Sequence, residues 1–360
     1  MDTDKALDSQ DHSNAAQGYI SNNIEFSGKA STFFGIWIVN VLLSIITFGI
    51  YSAWATVRTN NYFYSNTKLD GHVFSYLAKP LQILRGRILA IIFFVIYALV
   101  TNFNPVLGII LSLLLLIAMP WIIVQSLRFN NQMISYRNVR FDFHGTYGGA
   151  FVHFVLLPIL GAITLYLAMP WVLKKIKHFV LSNTSYGETK LTTNLSTGQF
   201  YKTFLIAFLI LAAFVGVIFA LAFAATSNVG LQFFSALPPS TLTLVGVAYL
   251  ATFAFMRAVV IVQIRNHVLA NTELEGLAKF KSSFTIPSYA FLEVTNMLAL
   301  ICSLGFAFPW VAIRSARFFA QRTQVEINTK AANAIDTKSR QDSSVGSETA
   351  EAFDLGMSVV

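Results

Sequence analysis

Few residues in this chain could do chemistry together. Between residues 26 and 328 there are seven acidic side chains, and Glu293 alone lies within a long apolar run. Arg257 and His153 sit in two other apolar runs, and Asn40 and Asn296 occupy matching places in runs of similar sequence. An ionisable group in an apolar segment is costly unless it is paired. Arg257 and Glu293 are therefore expected to meet as a charge pair lining a polar path, with His153 as a titratable neighbour. The simpler alternative is helix-to-helix hydrogen bonding, with charges reaching for the nearest interface. There is no His-Glu-x-x-His, no G-x-S-x-G and no phosphate-binding glycine loop. The six histidines (12, 72, 144, 153, 178 and 267) never share a helix with a carboxylate at ligand spacing, and the single Cys302 excludes an intrachain disulfide or thiolate cluster. No catalytic residue, metal or cofactor is expected, and the chain reads as non-enzymatic.

The elements that hold these residues are set by composition. With 55% hydrophobic residues, 12% charged and a mean hydropathy of +0.60, the chain is too apolar for a soluble domain of its length. Uninterrupted runs such as Val106 to Leu127 and Phe204 to Thr226 meet the requirement of about 20 residues for crossing a hydrocarbon core. They lack a two-residue alternation, so they are read as helices and not as barrel strands. Seven apolar segments can be drawn, at 31–57, 88–104, 106–127, 149–173, 203–226, 241–264 and 289–313. The first 25 residues lack a basic region followed by an apolar stretch and a cleavage site, so the first segment is expected to serve as its own insertion signal.

One stretch recurs. Phe26, Gly28, Thr47, Trp54, Asn66 and Thr67 reappear 117 residues on as Phe143, Gly145, Thr164, Trp171, Asn183 and Thr184. Asn40, Gly49, Trp54, Arg58, Phe63 and Thr67 reappear 256 residues on as Asn296, Gly305, Trp310, Arg314, Phe319 and Thr323. If all seven segments crossed, the first and fourth would run in opposite directions despite their matching sequences. The basic residues would also divide between the two sides, against the usual confinement of Lys and Arg to the cytoplasm. Re-entry removes both objections. Segments 31–57, 149–173 and 289–313 would then enter and return on one side, breaking near Thr47-Phe48-Gly49, Gly161 to Thr164 and Ser303-Leu304-Gly305. Hydroxyl and asparagine side chains would satisfy the freed backbone there; a single tilted span through each segment is the alternative. The other four segments pair into two hairpins whose outer loops, 101–105 and 227–240, carry no charge.

Trp54, Trp121, Trp171 and Trp310, with Arg58, Lys175 and Arg314, fit anchors at the headgroup level. After each exit the chain alternates polar and apolar residues, as in Lys68-Leu69-Asp70 and Arg140-Phe141-Asp142-Phe143, which suits short strands in small cytoplasmic sheets. The expected fold is an α-helical polytopic membrane protein with internal repeats: two transmembrane hairpins, three re-entrant or spanning segments and short cytoplasmic strands. Residues 1–25 and 329–360 read as disordered acidic tails around a membrane domain at 26–328, with repeat units at about 26–140, 141–280 and 281–328. The net charge of +8, placed beside apolar runs, points to anionic lipid headgroups as partners and away from nucleic acid. A homo-oligomer is compatible with the pattern.

The aromatic-x-Gly start at Phe26 and Gly28, the T-x-G-I-Y-x-A-W block from Thr47 to Trp54 and the N-T-x-L-x-G-x-x-F-x-Y block from Asn66 to Tyr76 resemble the YjgN-like family of bacterial inner-membrane proteins, a domain of unknown function. The resemblance covers nearly the whole chain between the tails. It implies a multi-pass place in the bacterial inner membrane and brings no reaction with it. The expected role is to carry a small solute or lipid, or to organise the inner leaflet. A membrane-embedded enzyme acting on lipid headgroups, using Asp70, Asp142 and His144, is the alternative.

Overall fold

The structure, a computed structural model, describes residues 18–225 and 239–328. Strands and helix pairs alternate along the chain. Strands β1 (Tyr19–Asn23) and β2 (Glu25–Phe26) lead into helices α1 (Ala30–Ile46) and α2 (Ser52–Ser65). Strands β3 (Thr67–Leu69) and β4 (His72–Tyr76) precede α3 (Pro80–Phe103) and α4 (Pro105–Gln132). Then come β5 (Ile134–Tyr136), β6 (Val139–Phe143), α5 (Tyr147–Ile163) and α6 (Met169–Ser182). Next are β7 (Thr184–Tyr186), β8 (Thr189–Thr193), α7 (Thr197–Ala225) and α8 (Pro239–Ala270). The series ends with β9 (Thr272–Leu274), β10 (Ala278–Ser282), α9 (Ile286–Cys302), α10 (Phe308–Gln321) and β11 (Thr323–Asn328).

The strands overturn the expected fold class. They do not form small separate sheets beneath an α-helical bundle, but join into one antiparallel sheet of 11 strands, in the order β1-β11-β10-β9-β8-β7-β6-β5-β4-β3-β2. The fold is therefore mixed, a helical membrane part on a continuous sheet. Three of the strands divide their pairing. In β4, Val73 faces Lys68 of β3 while Phe74 to Tyr76 face β5; in β6 and β8 the division repeats. The sheet's two outermost strands, β1 and β2, are consecutive in the chain with only Ile24 between them. The first part of this stretch pairs with β11 and the last with β3, so the sheet closes into a ring through its own backbone. Residues assigned by composition to the N-terminal tail thus supply the closing strand.

Inside the ring lies an apolar core that includes Leu69, Tyr136, Tyr186, Leu191, Leu274 and Val325. Two tyrosine hydroxyls are satisfied there, Tyr136 donating to the Leu69 carbonyl at 2.9 Å and Tyr186 to the Tyr136 carbonyl at 2.8 Å. Tight turns join the first two hairpins of the ring. Asp70 and Gly71 have φ of 49° and 73°, and Arg137 and Asn138 have φ of 49° and 63°, the left-handed pair that matches strand twist in a two-residue loop.

Every helix pair is tied at its base by one backbone bond between the residue after its incoming strand and the residue before its outgoing strand. The amides of Ser27, Leu77, His144, Asn194 and Ser283 donate to the carbonyls of Asn66, Met133, Asn183, Asn271 and Arg322 at 2.8–3.0 Å. The aromatic-x-Gly motif serves these corners. The Phe143 ring folds back over Gly145 so closely that a Cβ there would lie 2.4 Å from it and 3.1 Å from Phe179.

Two kinds of helix pair stand on the ring. The stretches Pro80–Phe103, Pro105–Gln132, Thr197–Ala220 and Val245–Ala270 are long and apolar enough to cross a membrane. At the tip between α3 and α4, Asn104 accepts from the amides of Val106 and Leu107 at 3.0 and 3.2 Å, capping α4 behind Pro105. The segments 31–57, 149–173 and 289–313 are instead each broken into two helices. In the first and third of these pairs the leading helix has 17 residues, and in all three the second has 14.

The three breaks share one geometry. Phe48 and Gly49, Leu165 and Tyr166, and Leu304 and Gly305 take positive φ between 48° and 89°. One hydroxyl bridges each turn. Thr47 Oγ1 donates to the Leu43 carbonyl at 2.7 Å and accepts from the Tyr51 amide at 2.9 Å. Thr164 joins Leu160 to Ala168 in the same way, and Ser303 joins Leu300 to Ala307.

Two outcomes follow for unfolding in detergent. Thr47→Val is expected to lower stability by about 1–3 kcal/mol, the cost of stranding both backbone groups, whereas Thr47→Ser keeps most of it; equal unfolding of the two variants would deny the bridge its role. Gly145→Ala is expected to destabilise by about 1–3 kcal/mol through overpacking against Phe143, read as a lower unfolding midpoint in the same assay.

Candidate functional site

The functional surface is built from the helix pairs upward. In α2, α6 and α10 the third residue is a tryptophan and the seventh a cation: Trp54 and Arg58, Trp171 and Lys175, Trp310 and Arg314. Residues four apart share a helix face, so ring and charge stack. Lys175 lies 5.8 Å above the Trp171 ring, and Arg314 5.0 Å above Trp310. In the first pair Arg58 donates instead to the Tyr51 hydroxyl at 2.9 Å, while Tyr51 stacks on Trp54 at 6.2 Å. Trp121 stands exposed on α4, next to the buried Pro120. Beyond this collar the turns present bare apolar side chains: Phe48 is 97% exposed, Leu165 83% and Leu304 89%.

The polar residues singled out from the sequence fall in four places. Arg257 on α8 and Glu293 on α9 form an ion pair at 2.5 Å, with the Arg257 side chain 53% exposed and that of Glu293 23%. Asn296 lies inside the third short pair, where Nδ2 donates to Ser315 Oγ at 3.1 Å and Oδ1 accepts from Arg314 at 3.0 Å. Asn40 sits at the matching place in the first pair, with Nδ2 donating to the Ala55 carbonyl at 3.4 Å. His153 belongs to the second pair, in a π-helical turn of α5 (Val152–Leu156). Its Nδ1 meets the Gly149 carbonyl at 2.8 Å and its ring stacks on Phe179 at 4.6 Å. Arg257 and Glu293 are thus brought together; His153 and the two asparagines each serve their own helix pair.

Of the acids and the histidine considered for headgroup chemistry, Asp70 stands in a different hairpin from Asp142 and His144, which lie two residues apart beside Ser185. Asp70, in the turn of the first hairpin, pairs at 2.8 Å with Arg137, in the turn of the second. Asp142 accepts from Gln132 at 3.1 Å and from the Phe143 amide at 2.7 Å, and His144 Nε2 meets Ser185 Oγ at 3.0 Å. No group of three or more His, Cys, Asp or Glu that could hold a metal ion occurs among the described residues.

Sequence reasoning passed over Arg87. From α3 it donates to Ser52 and Thr56 on α2, at 2.5 and 2.9 Å, and so ties a long hairpin to a short pair. Its place early in an apolar helix was a signal for an interfacial role; its partners, over 30 residues away, were not readable. Lys29, Arg317 and Arg322 were likewise seen only as part of a basic balance.

Comparison with known proteins places these features in a family. Residues 21–352 match the family model described as "Bacterial protein of unknown function (DUF898)". The chain is 25% identical to "Inner membrane protein YjgN" of Escherichia coli O157:H7, over 84% of this chain and 88% of that protein. It is 31% identical to the protein of the same name from Salmonella typhimurium, over 41% of this chain and 38% of that one. No solved structure matches. The chain belongs to this bacterial family of unknown function, whose similar members are named as inner membrane proteins.

Proposed function

We propose that the protein is a non-enzymatic inner-membrane scaffold that wedges open one leaflet while two hairpins hold it across the bilayer. The depth of the helix pairs carries this reading. At about 1.5 Å per residue, the collar cations Arg58, Lys175 and Arg314 lie roughly 10 Å from the strand ring. The leading helix of a short pair reaches about 25 Å, and α3 about 36 Å. Measured from the collar, the short pairs penetrate about 15 Å and α3 about 26 Å, against a hydrocarbon core of about 30 Å. The short pairs therefore stop near mid-bilayer, where their bare apolar tips need lipid and not water.

The side follows from charge. The tip between α3 and α4, Asn104 with Phe103 and Pro105, is uncharged, whereas the collar is cationic, which supports a ring on the cytoplasmic side. Because β1 pairs with β11, the two ends of the described chain, Tyr19 and Asn328, sit together on the ring. Three wedges in one leaflet add area to it alone, which favours curvature toward that leaflet or the recruitment of lipids that tolerate it. The Arg257–Glu293 pair supports this reading over transport: with Arg257 more than half exposed, it clamps α8 to α9 at the rim and does not line an enclosed path.

Topology is tested with single cysteines at Ser31, Ser182 and Ser227 in a Cys302→Ser background, treated with an impermeant thiol reagent. Only the Ser227 site is expected to react in intact cells, and all three in opened cells; labelling of the Ser182 site from outside would refute the wedges. For the clamp, a double-mutant cycle separates roles. Glu293→Gln alone is expected to destabilise more than Glu293→Gln with Arg257→Gln, because the single change strands a charge. A transport site would instead lose uptake in reconstituted vesicles with either change.

A further inference from the structure

Five helix pairs stand around the ring in the order short, long, short, long, short, so ring closure brings the third short pair against the first. Each of the other two approaches between short pairs is filled by a spanning hairpin, whereas α10 packs directly on α1. Trp37 of α1 meets Phe306 and Phe308 at 6.4 and 6.1 Å, and Arg317 of α10 donates to the Gly28 carbonyl at 3.1 Å. At this seam lies a groove of about 810 Å³. Four cations line it, Lys29, Arg314, Arg317 and Arg322, together with Trp310 and Phe291, and its lining contains no acidic residue.

We propose that this groove binds the headgroup of an anionic glycerophospholipid from the ring-side leaflet. The proposal rests on the wedge reading above, which puts the groove at the membrane surface. Arg314 is held by Thr295 and Asn296 at 2.6 and 3.0 Å and lies over Trp310 and Phe291 at 5.0 and 5.9 Å. Arg322 lies over Phe318 at 4.7 Å and donates to the Ser283 carbonyl at 3.4 Å. These bonds orient the guanidinium groups while engaging only part of each five-donor fork, and such forks suit the oxygens of a phosphodiester.

The order along α10 matches a phospholipid. Arg322 and Arg317 lie toward the ring, Arg314 at the collar, and Trp310 one turn deeper. Charge therefore gives way to aromatic surface in the direction in which a headgroup gives way to acyl chains. A neutral zwitterion would bring its own ammonium against four cations with no acid to receive it. A net negative headgroup is the one that fits.

The test uses the full chain in nanodiscs of phosphatidylethanolamine with a minor share of phosphatidylglycerol, followed by mild extraction and native mass spectrometry. Phosphatidylglycerol is expected to remain bound about tenfold in excess of its share, a difference of about 1.4 kcal/mol. Lys29→Glu with Arg322→Gln is expected to abolish that excess, while Lys29→Arg with Arg322→Lys keeps most of it. Lys29 and Arg322 are chosen because neither holds the α1–α10 contact.

Equal retention of both lipids, or an excess untouched by the charge-removing variant, would overturn the site. Displacement of the lipid by millimolar glycerol phosphate that itself stays bound would overturn the lipid assignment in favour of a soluble phosphate ligand. A fluorophore on Phe48→Cys, quenched by bromine-labelled acyl chains, separates this from the wedge reading. Persistent quenching with no lipid excess removes the site and leaves the wedges. Loss of quenching with the excess intact removes the wedges and leaves the site.

Discussion

The constraint on which the short helix pairs depend is that a turn between two apolar helices leaves backbone groups that apolar surroundings cannot satisfy. Three hydroxyls meet that demand at equivalent positions. Thr47, Thr164 and Ser303 each accept from an amide four residues ahead, while donating to a carbonyl three or four residues behind. Further bonds reach five residues back, from the amides of Gly49, Tyr166 and Gly305 to the carbonyls of Ser44, Gly161 and Leu300, at 2.7–2.8 Å. These are the orphan groups that a helix end otherwise offers to solvent. With them satisfied locally, the chain can reverse between two apolar helices without a solvent partner.

The second requirement falls on the ring. The spanning helices bury little against one another; within the apolar window of α3 no residue is buried. Lipid contributes no hydrophobic drive between helices, so their arrangement is imposed from the base. The five backbone clamps and the divided pairing of β4, β6 and β8 do this, because each of these strands hands the sheet from one helix pair to the next. An open sheet of this length would expose two edges at the membrane surface. Pairing residues 19–26 with both ends removes them.

Much of the helical part was legible in the sequence, because its signals are local. Apolar length marked the helices, Gly49 and Gly305 with their neighbouring hydroxyls marked the breaks, and the isolation of Arg257 and Glu293 in apolar runs marked them as partners. The ring was not legible. Its strands are three to six residues long apart from the two-residue β2, and their partners lie as far apart as Asn23 and Gln324. A two-residue alternation shows that Leu69 and Tyr136 face one side, but not that they face each other across a closed sheet. Residues 19–25 carried a further disguise, since this short segment follows directly on an acidic, polar stretch whose composition is that of a tail. It orders only because both of its edges find partners.

Closure of the ring also decides where the membrane part is uneven. Five helix pairs cannot alternate short and long around a circle without placing two of one kind together. Here the two are short, and their meeting leaves a shallow seam with no spanning hairpin to fill it. At this seam Arg314, Arg317 and Arg322 bond to neighbours, as Arg87 does to Ser52 and Thr56, and in addition line a groove. An odd number of units is thus the physical reason that a structure built from similar parts has one place unlike the rest, where two short pairs meet directly.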